Sequence, residues 1–503
     1  MKPAPLALRG HPWLLALPLL LLAMFFATSQ LDNRAFQEDE LATLRLAGSG
    51  QRQPLPFADF QAMLVERSAE QAFGWPLLVS LWVRIAGWSE PAVRILPLLA
   101  GMLALAWTWR LGRDLSHHSL GLLALLMLAT SAFFIGFMWY ARAFTMLALC
   151  STLLLWCYWR ICFHDRAARP VHFAGLLLAA TALAYLHYFS VTVIAAVALF
   201  HLISGRDHRH FRWPLAMFAI AALLATMQLP TFFTGLEESL VDENLKLDVL
   251  GAAAVLTTFL RFLVNRTLEI PLAAGWLLLA TLIGTLVWWF RRKHETGSIP
   301  LRFLTMVYAM AFLLVLIANE FAQVITPGRI RYLMPLWPLT AILLAWFVRK
   351  QRTWRFRVAE WVLVAMIVTG LHAINHPFLK YSFGNSAYRD RMHVIQREIV
   401  SAGREGDVLL AGEFDKDLTW SLVLEFYLQA LPLPVTYVDA GGAESWLASA
   451  RAHSRFWLLQ TSHDSEVYVA LASSLVKDAY VCESRDLRAV ATLELYAWSD
   501  DDC

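Results

Sequence analysis

Four short stretches of this chain hold side chains of the kinds that move protons or hold anions. Asp39 and Glu40 lie in Phe36-Gln37-Glu38-Asp39-Glu40-Leu41, directly after a long apolar segment. Carboxylates there either begin a helix, where they offset the partial positive charge of its free N–H groups, or serve as a general base facing water. Successive helical residues diverge by about 100°. The two would therefore serve different roles, on the second reading Asp39 as a general base and Glu40 as a neighbour that tunes its charge. Tyr140-Ala141-Arg142-Ala143-Phe144 sets one guanidinium between two apolar blocks, with Tyr140 beside it. Pro327-Gly328-Arg329-Ile330-Arg331-Tyr332-Leu333-Met334-Pro335 sets two more at the head of a further block. Proline breaks the helical hydrogen-bond ladder, which suits irregular backbone lining a cavity. A guanidinium can hold two phosphate oxygens at once; its plainer use is to reach out to lipid headgroups. His187-Tyr188 falls at a helix turn, where a structural imidazole and a ligand are both open readings.

The elements that must position these groups are membrane helices. Of 503 residues, 58% are hydrophobic and 16% charged, and the mean hydropathy is +0.52. Ordinary soluble domains carry about 25% charged residues. The apolar residues fall in blocks long enough to cross a bilayer. Eleven spans are expected, near 12–29, 92–110, 119–138, 143–160, 171–186, 188–204, 213–231, 271–290, 301–319, 332–348 and 358–376. Basic clusters at Arg110/Arg113, Arg160 to Arg169, Arg206 to Arg212, Arg291 to Lys293 and Arg349 to Arg357 all fall on the cytoplasmic side of this topology, as such clusters do. The amino terminus is then inside and the carboxyl terminus outside. The first span has signal-peptide features but is read as a retained helix. Apolar stretches 75–88 and 250–264 break the charge pattern as spans and are read as helices lying in the outer interface, with re-entrant pieces or additional spans as the alternative. In this topology the acidic segment and the arginines at 142, 329 and 331 share the outer face.

The expected organisation is a first transmembrane helix (1–29), an external loop with two amphipathic helices and the acidic motif (30–91), a bundle (92–376) and a soluble tail (377–503). The tail alternates helices with short apolar strands, the pattern of a small α/β layer. The fold class is thus an all-α polytopic membrane protein of about eleven helices with a small carboxyl-terminal α/β domain. Cys150, Cys157 and Cys162 read as apolar filler. Cys482 and Cys503 fall in the external tail, where an oxidising compartment permits a disulfide. There is no phosphate-binding loop, no dinucleotide fingerprint and no metal-type Cys/His cluster in the sequence, and no feature of a nucleic-acid binder.

The ordered set resembles the GT-C membrane glycosyltransferases, in particular the bacterial branch related to protein O-mannosyltransferases and the lipid A aminoarabinose transferase. Asp39-Glu40 matches the Asp-Glu motif of the first external loop. Gly74 to Trp82 and Gly87 to Pro97 match the stretch that closes that loop. Tyr140 to Phe144 is similar to an Arg-Pro-Tyr-type segment, and Arg331-Tyr332-Leu333-Met334-Pro335 to an Arg-Tyr-Leu-x-Pro segment. Two departures stand out: Gly74-Trp75-Pro76 replaces a His-Pro-Pro element, and Ala143-Phe144 follows Arg142. The resemblance implies inverting transfer of a sugar from a polyprenyl-phosphate donor to a periplasmic glycan, lipid or protein acceptor, in the bacterial inner membrane. Asp39 and Glu40 would be catalytic. Arg142, Tyr140, Arg331, Arg329, His187 and Tyr188 would bind substrate. No cofactor is required by the residues, and a divalent metal stays open. A transporter of lipid-linked sugars would use the same arginines, but would also need ionisable groups through the depth of the bundle. A non-catalytic glycolipid-binding protein is the third reading.

Overall fold

A computed structural model describes residues 13–29, 31, 36–51, 53–67, 71–164, 168–205, 210–241, 249–266, 268–291, 299–350, 364–372, 392–411, 426–428, 431–437, 443–461, 466–486 and 491–503. Two compact units emerge. One comprises Met1–Leu31 and Leu55–Phe383, the other Asp32–Pro54 and Gly384–Cys503. The external loop expected over 30–91 is thus divided, and its acidic half groups with the carboxyl-terminal domain.

The first unit is a helical bundle. Among the described residues six helices are long and apolar enough to cross a membrane: Glu90–Leu115, Phe144–Cys162, Arg212–Glu237, Leu272–Arg291, Ile299–Ala322 and Pro327–Arg349. His118–Ala129 and Ala132–Met138, bent by 71°, form a seventh if taken together. Leu14–Thr28, Pro170–Leu186 and Tyr188–Ser204 are shorter apolar helices at expected spans. Of the span expected over 358–376, residues 364–372 are helical and the remainder lies outside the described residues. Gly74–Ala86 and Ala252–Leu263 have 13 and 12 residues. At about 1.5 Å per residue neither crosses a hydrocarbon core of about 30 Å.

Two features of this unit fix the arginine-bearing segments. Asn319, 2% exposed, receives Ile325 N–H on Oδ1 at 2.8 Å and donates from Nδ2 to the Leu250 carbonyl at 3.0 Å. This braces the loop that leads into Pro327–Leu336. At the other end of that segment Trp337 donates from Nε1 to Ser131 Oγ at 3.1 Å and packs on Phe133 and Phe259.

The second unit holds a five-stranded sheet in the order β2-β1-β3-β5-β4. Its strands are β1 Val408–Ala411, β2 Val435–Tyr437, β3 Arg455–Thr461, β4 Tyr480–Asp486 and β5 Ala491–Ala497. β1 runs parallel to β2 and β3; β5 runs antiparallel to β3 and β4. Helices Met392–Ala402, Ala443–Arg451 and Glu466–Leu475 accompany it. The expected α/β layer is present. Val408, Leu410, Trp446, Phe456, Leu458, Tyr468 and Tyr496 form one core, while Leu409, Trp457 and Leu459 on alternate positions are buried too. A sheet covered on both faces reads as continuous apolar strands, and Val408-Leu409-Leu410-Ala411 does so. Cys482 is disulfide-bonded to Cys503. Cys150 and Cys157 are buried and free.

Candidate active site

In the bundle, Pro327–Leu336 is a ten-residue 3-10 segment that begins with one proline and contains another. Runs of 3-10 helix longer than about four residues are uncommon. Here Pro335 withholds an N–H from the ladder, and the tighter winding carries Arg329, Arg331 and Tyr332 ahead of the helix that starts at Trp337. The Tyr332 ring lies 4.3 Å from that of His187, and stacks with Phe189 at 5.9 Å and Phe144 at 6.5 Å. The Arg331 guanidinium carbon lies 5.5 Å from the centre of the Phe144 ring, a cation–π contact.

Arg142 comes from the turn before Phe144–Cys162. Its Nη1 donates to Gln71 Oε1 at 2.9 Å. The Tyr188 hydroxyl donates to the Gln71 carbonyl at 3.3 Å, and Trp75 Nε1 to the Ala141 carbonyl at 3.1 Å. Residues 71–75 therefore brace the Arg142 turn. Gly74 makes this possible: a Cβ there would meet the Tyr185 carbonyl oxygen at 2.5 Å, so any other residue would push this helix start off the Pro170–Leu186 helix. Arg94, fully buried, donates from Nη1 to the Leu31 carbonyl at 3.0 Å and lies 5.8 Å from the Trp139 ring.

His187 occupies the turn between two apolar helices. Its Nδ1 accepts the Phe189 N–H at 3.2 Å, so the ring proton of the neutral form is on Nε2. Burial, then the positive charges of Arg142, Arg331 and Arg329, push its pKa down to about 3. At neutral pH the ring is an uncharged N–H donor inside a field set by three guanidiniums. Among the described residues no carboxylate pairs with Arg329. The bundle thus brings Arg142, Arg329, Arg331, His187 and Tyr188 together. Tyr140, expected as a substrate ligand, is 1% exposed. Its ring stacks on Phe144 and meets Phe137, so it supports the turn and presents no ring to solvent.

The acidic segment lies in the second unit. Helix Glu38–Ala47 starts after Gln37, whose N–H donates to Glu40 Oε2 at 2.8 Å. Glu40 is fully buried, and in this position it caps the helix start. Asp39 is half-buried. The expected divergence of these two carboxylates is present, with Glu40 turned inward. The Phe36 N–H donates to the Tyr427 hydroxyl at 2.7 Å, and the Phe36 ring meets Phe426 at 5.2 Å. The sequence alone gives no role to Gln71, Arg94 or Tyr427, and marks Trp75 only within a departure from the family motif. For Trp75 the signal was available, since an indole beside a glycine and a proline was the very point of departure from the family motif. Among the described residues no group of three or more His, Cys, Asp or Glu side chains is placed to hold a metal ion.

A bundle of apolar helices joined in one chain to a small α/β domain has the GT-C fold. The chain is similar over 97% of its length, and over 98% of theirs, to two crystal structures of ArnT from Cupriavidus metallidurans. For the one bound to undecaprenyl phosphate the TM-score is 0.58 at 13% identity; for the apo state it is 0.60 at 14%. The sequence pattern of the dolichyl-phosphate-mannose-protein mannosyltransferase family matches residues 70–231. That stretch includes Arg142, His187 and Tyr188, and excludes Asp39, Arg329 and Arg331. Among curated protein sequences none matches the chain.

Proposed function

We propose that this protein transfers a sugar from a polyprenyl-phosphate donor to a hydroxyl acceptor with inversion at the anomeric carbon. The acceptor oxygen attacks that carbon, the bond to the phosphate oxygen breaks, and the electron pair leaves with the lipid phosphate. Asp39 takes the acceptor's proton. Arg142, Arg329 and Arg331 meet the phosphate charge, and His187 Nε2–H offers a further hydrogen bond without adding charge. Glu40 acts through the helix start it caps. One relationship carries this reading: the charges of Arg142, Arg331 and Arg329 all act on the ring of His187, and Arg329 has no carboxylate partner among the described residues. A permanently charged cluster of that kind is suited to an anion supplied by the ligand. The undecaprenyl phosphate named for the ArnT crystal structure is consistent with it. The Cys482–Cys503 disulfide supports placing the carboxyl-terminal domain, and the chemistry, outside the cytoplasm of a bacterial inner membrane. Acceptor and sugar are left as classes, and no step is assigned to a metal.

The test is turnover of a radiolabelled polyprenyl-phosphate sugar by purified protein in lipid nanodiscs. Release of free polyprenyl phosphate with transfer of label supports the reading. Movement of intact donor between leaflets without cleavage would replace it with transport, and binding without either would leave an assembly protein.

A further inference from the structure

At the end of the bundle remote from Arg142 and Arg331, two helix ends carry a charged cluster that sugar transfer does not use. Thr145 Oγ1 donates to the Pro97 carbonyl at 2.7 Å, which aligns helices Glu90–Leu115 and Phe144–Cys162 near the candidate site. Both run away from it. Arg110, Asp114, Trp156 and Arg160 lie about 17–26 Å further along at a rise of about 1.5 Å per residue.

Trp107, Arg110 and Asp114 share one helix face, and Trp156 and Arg160 share another. The Trp107 and Trp156 rings meet at 4.6 Å. The Arg110 guanidinium carbon lies 5.4 Å from the first ring centre and 5.1 Å from the second. Asp114 organises the rest. Its Oδ1 accepts from Arg113 Nε at 3.0 Å; its Oδ2 accepts from Trp156 Nε1 at 3.0 Å and lies 3.7 Å from Arg160 Nη1. Its backbone carbonyl accepts from Trp159 Nε1 at 3.2 Å. Arg349, whose Nη1 donates to Ser116 Oγ at 3.2 Å, adds a further cation.

Among the described residues the cluster carries more positive than negative charge. Asp114 serves Arg113 and Arg160, and among the described residues no carboxylate lies within ion-pair distance of Arg110. Both indoles lie to one side of its guanidinium, while the residue as a whole is exposed. A guanidinium stacked in this way keeps its N–H edge for a planar or tetrahedral anion. The ends of membrane helices, with tryptophans around them, lie at headgroup level, where the abundant anion is lipid phosphate. We infer that Arg110, Arg160 and the Trp107–Trp156 pair form a binding site for the phosphate headgroup of an anionic phospholipid, on the membrane face opposite the candidate donor site. A lipid seated there would tie the two helix ends together.

The experiment uses the full chain in phosphatidylcholine nanodiscs with graded phosphatidylglycerol, counting co-purifying lipids by native mass spectrometry. The wild type should retain phosphatidylglycerol over phosphatidylcholine. Arg110→Gln should lower that preference about fivefold, the weight of one arginine near an anionic surface. Arg110→Lys should fall between the two, since it keeps the charge and loses the fork. Arg84→Gln, an exposed arginine on another helix, should match the wild type. Because Arg110 is exposed, its variants are expected to fold, which a melting curve verifies. Equal retention by wild type and Arg110→Gln overturns the inference. So does stabilisation by millimolar inorganic phosphate equal to that by phosphatidylglycerol, which would make this a site for a free anion.

Discussion

The Phe36 N–H donates to the Tyr427 hydroxyl at 2.7 Å across 391 positions of sequence. The acidic segment is therefore built into the carboxyl-terminal domain, three residues before the proposed base. Phe36 is fully buried and Tyr427 is 2% exposed, so Tyr427→Phe leaves a buried N–H without its acceptor. That is expected to cost about 1–3 kcal/mol, read as a lower melting temperature, and to speed deuterium exchange at the Phe36 amide. If Asp39 is the base, turnover should also drop while the KM for donor holds. Unchanged exchange at Phe36 would show that the bond does not persist in solution.

The carboxyl-terminal domain has its own charged pivot. Asp407 Oδ1 accepts from Arg455 Nε at 3.0 Å, and Oδ2 from Arg455 Nη2 at 2.8 Å, Trp457 Nε1 at 3.1 Å and the Arg404 N–H at 2.9 Å. Removing one partner of a buried pair costs about 3–5 kcal/mol. The two ends are not equivalent. Arg455→Met leaves Asp407 with two N–H donors, whereas Asp407→Leu orphans those donors and strands Arg455 with the Ala402 carbonyl. Denaturant unfolding should rank Asp407→Leu as the more damaging, and the reverse order would refute this accounting.

Much of this architecture was legible in the sequence, because its signals are one-dimensional. Apolar blocks of span length gave the bundle. Amphipathic periods gave the two helices of the external loop, found at Glu38–Ala47 and Phe57–Arg67. Continuous apolar runs gave β1 and β3. The strand Tyr480–Asp486 was not foreseen: it is an edge strand whose Cys482-Glu483-Ser484-Arg485-Asp486 run is polar, and edge strands need only one partner and little core. Small residues dilute the apolar face of helix Ala443–Arg451, so its period is faint in the sequence. The arginines of the candidate site were visible, since charge is conspicuous among apolar blocks. Their supports were not, because Gln71, Trp75 and Tyr427 act through contacts between distant segments. The grouping of residues 32–54 with the tail is a tertiary fact of the same kind.

His187 makes the pH dependence one-sided. An unfolded histidine titrates near 6.5, and the folded ring is held down at about 3. Between these values the unfolded chain binds the extra proton, so this residue's contribution makes stability fall as pH drops through that window and leaves it flat above about pH 7. Melting curves of wild type and His187→Asn from pH 4 to 8 should run parallel above neutrality. Below it the wild type should lose stability faster. Parallel curves throughout would place His187 in water, away from the three guanidiniums.

Arg329 and Asp39 should fail in different ways. A guanidinium that meets the phosphate is felt when the donor binds and again when charge develops on the leaving group. Arg329→Gln should therefore raise the donor KM and also lower kcat, with an overall loss of about 10²–10³ in kcat/KM. A base acts only as the acceptor's proton departs. Asp39→Asn should lower kcat by about 10²–10⁴ and leave donor affinity near wild type, measured by binding of unlabelled polyprenyl phosphate. Loss of lipid-phosphate affinity in Asp39→Asn would make the carboxylate part of the donor cradle, and an undiminished rate would remove it from the chemistry. Because the two residues belong to separate compact units, the double variant is informative too. Multiplied losses would mean the groups act independently, while a double variant no worse than Asp39→Asn would mean both serve one transition state.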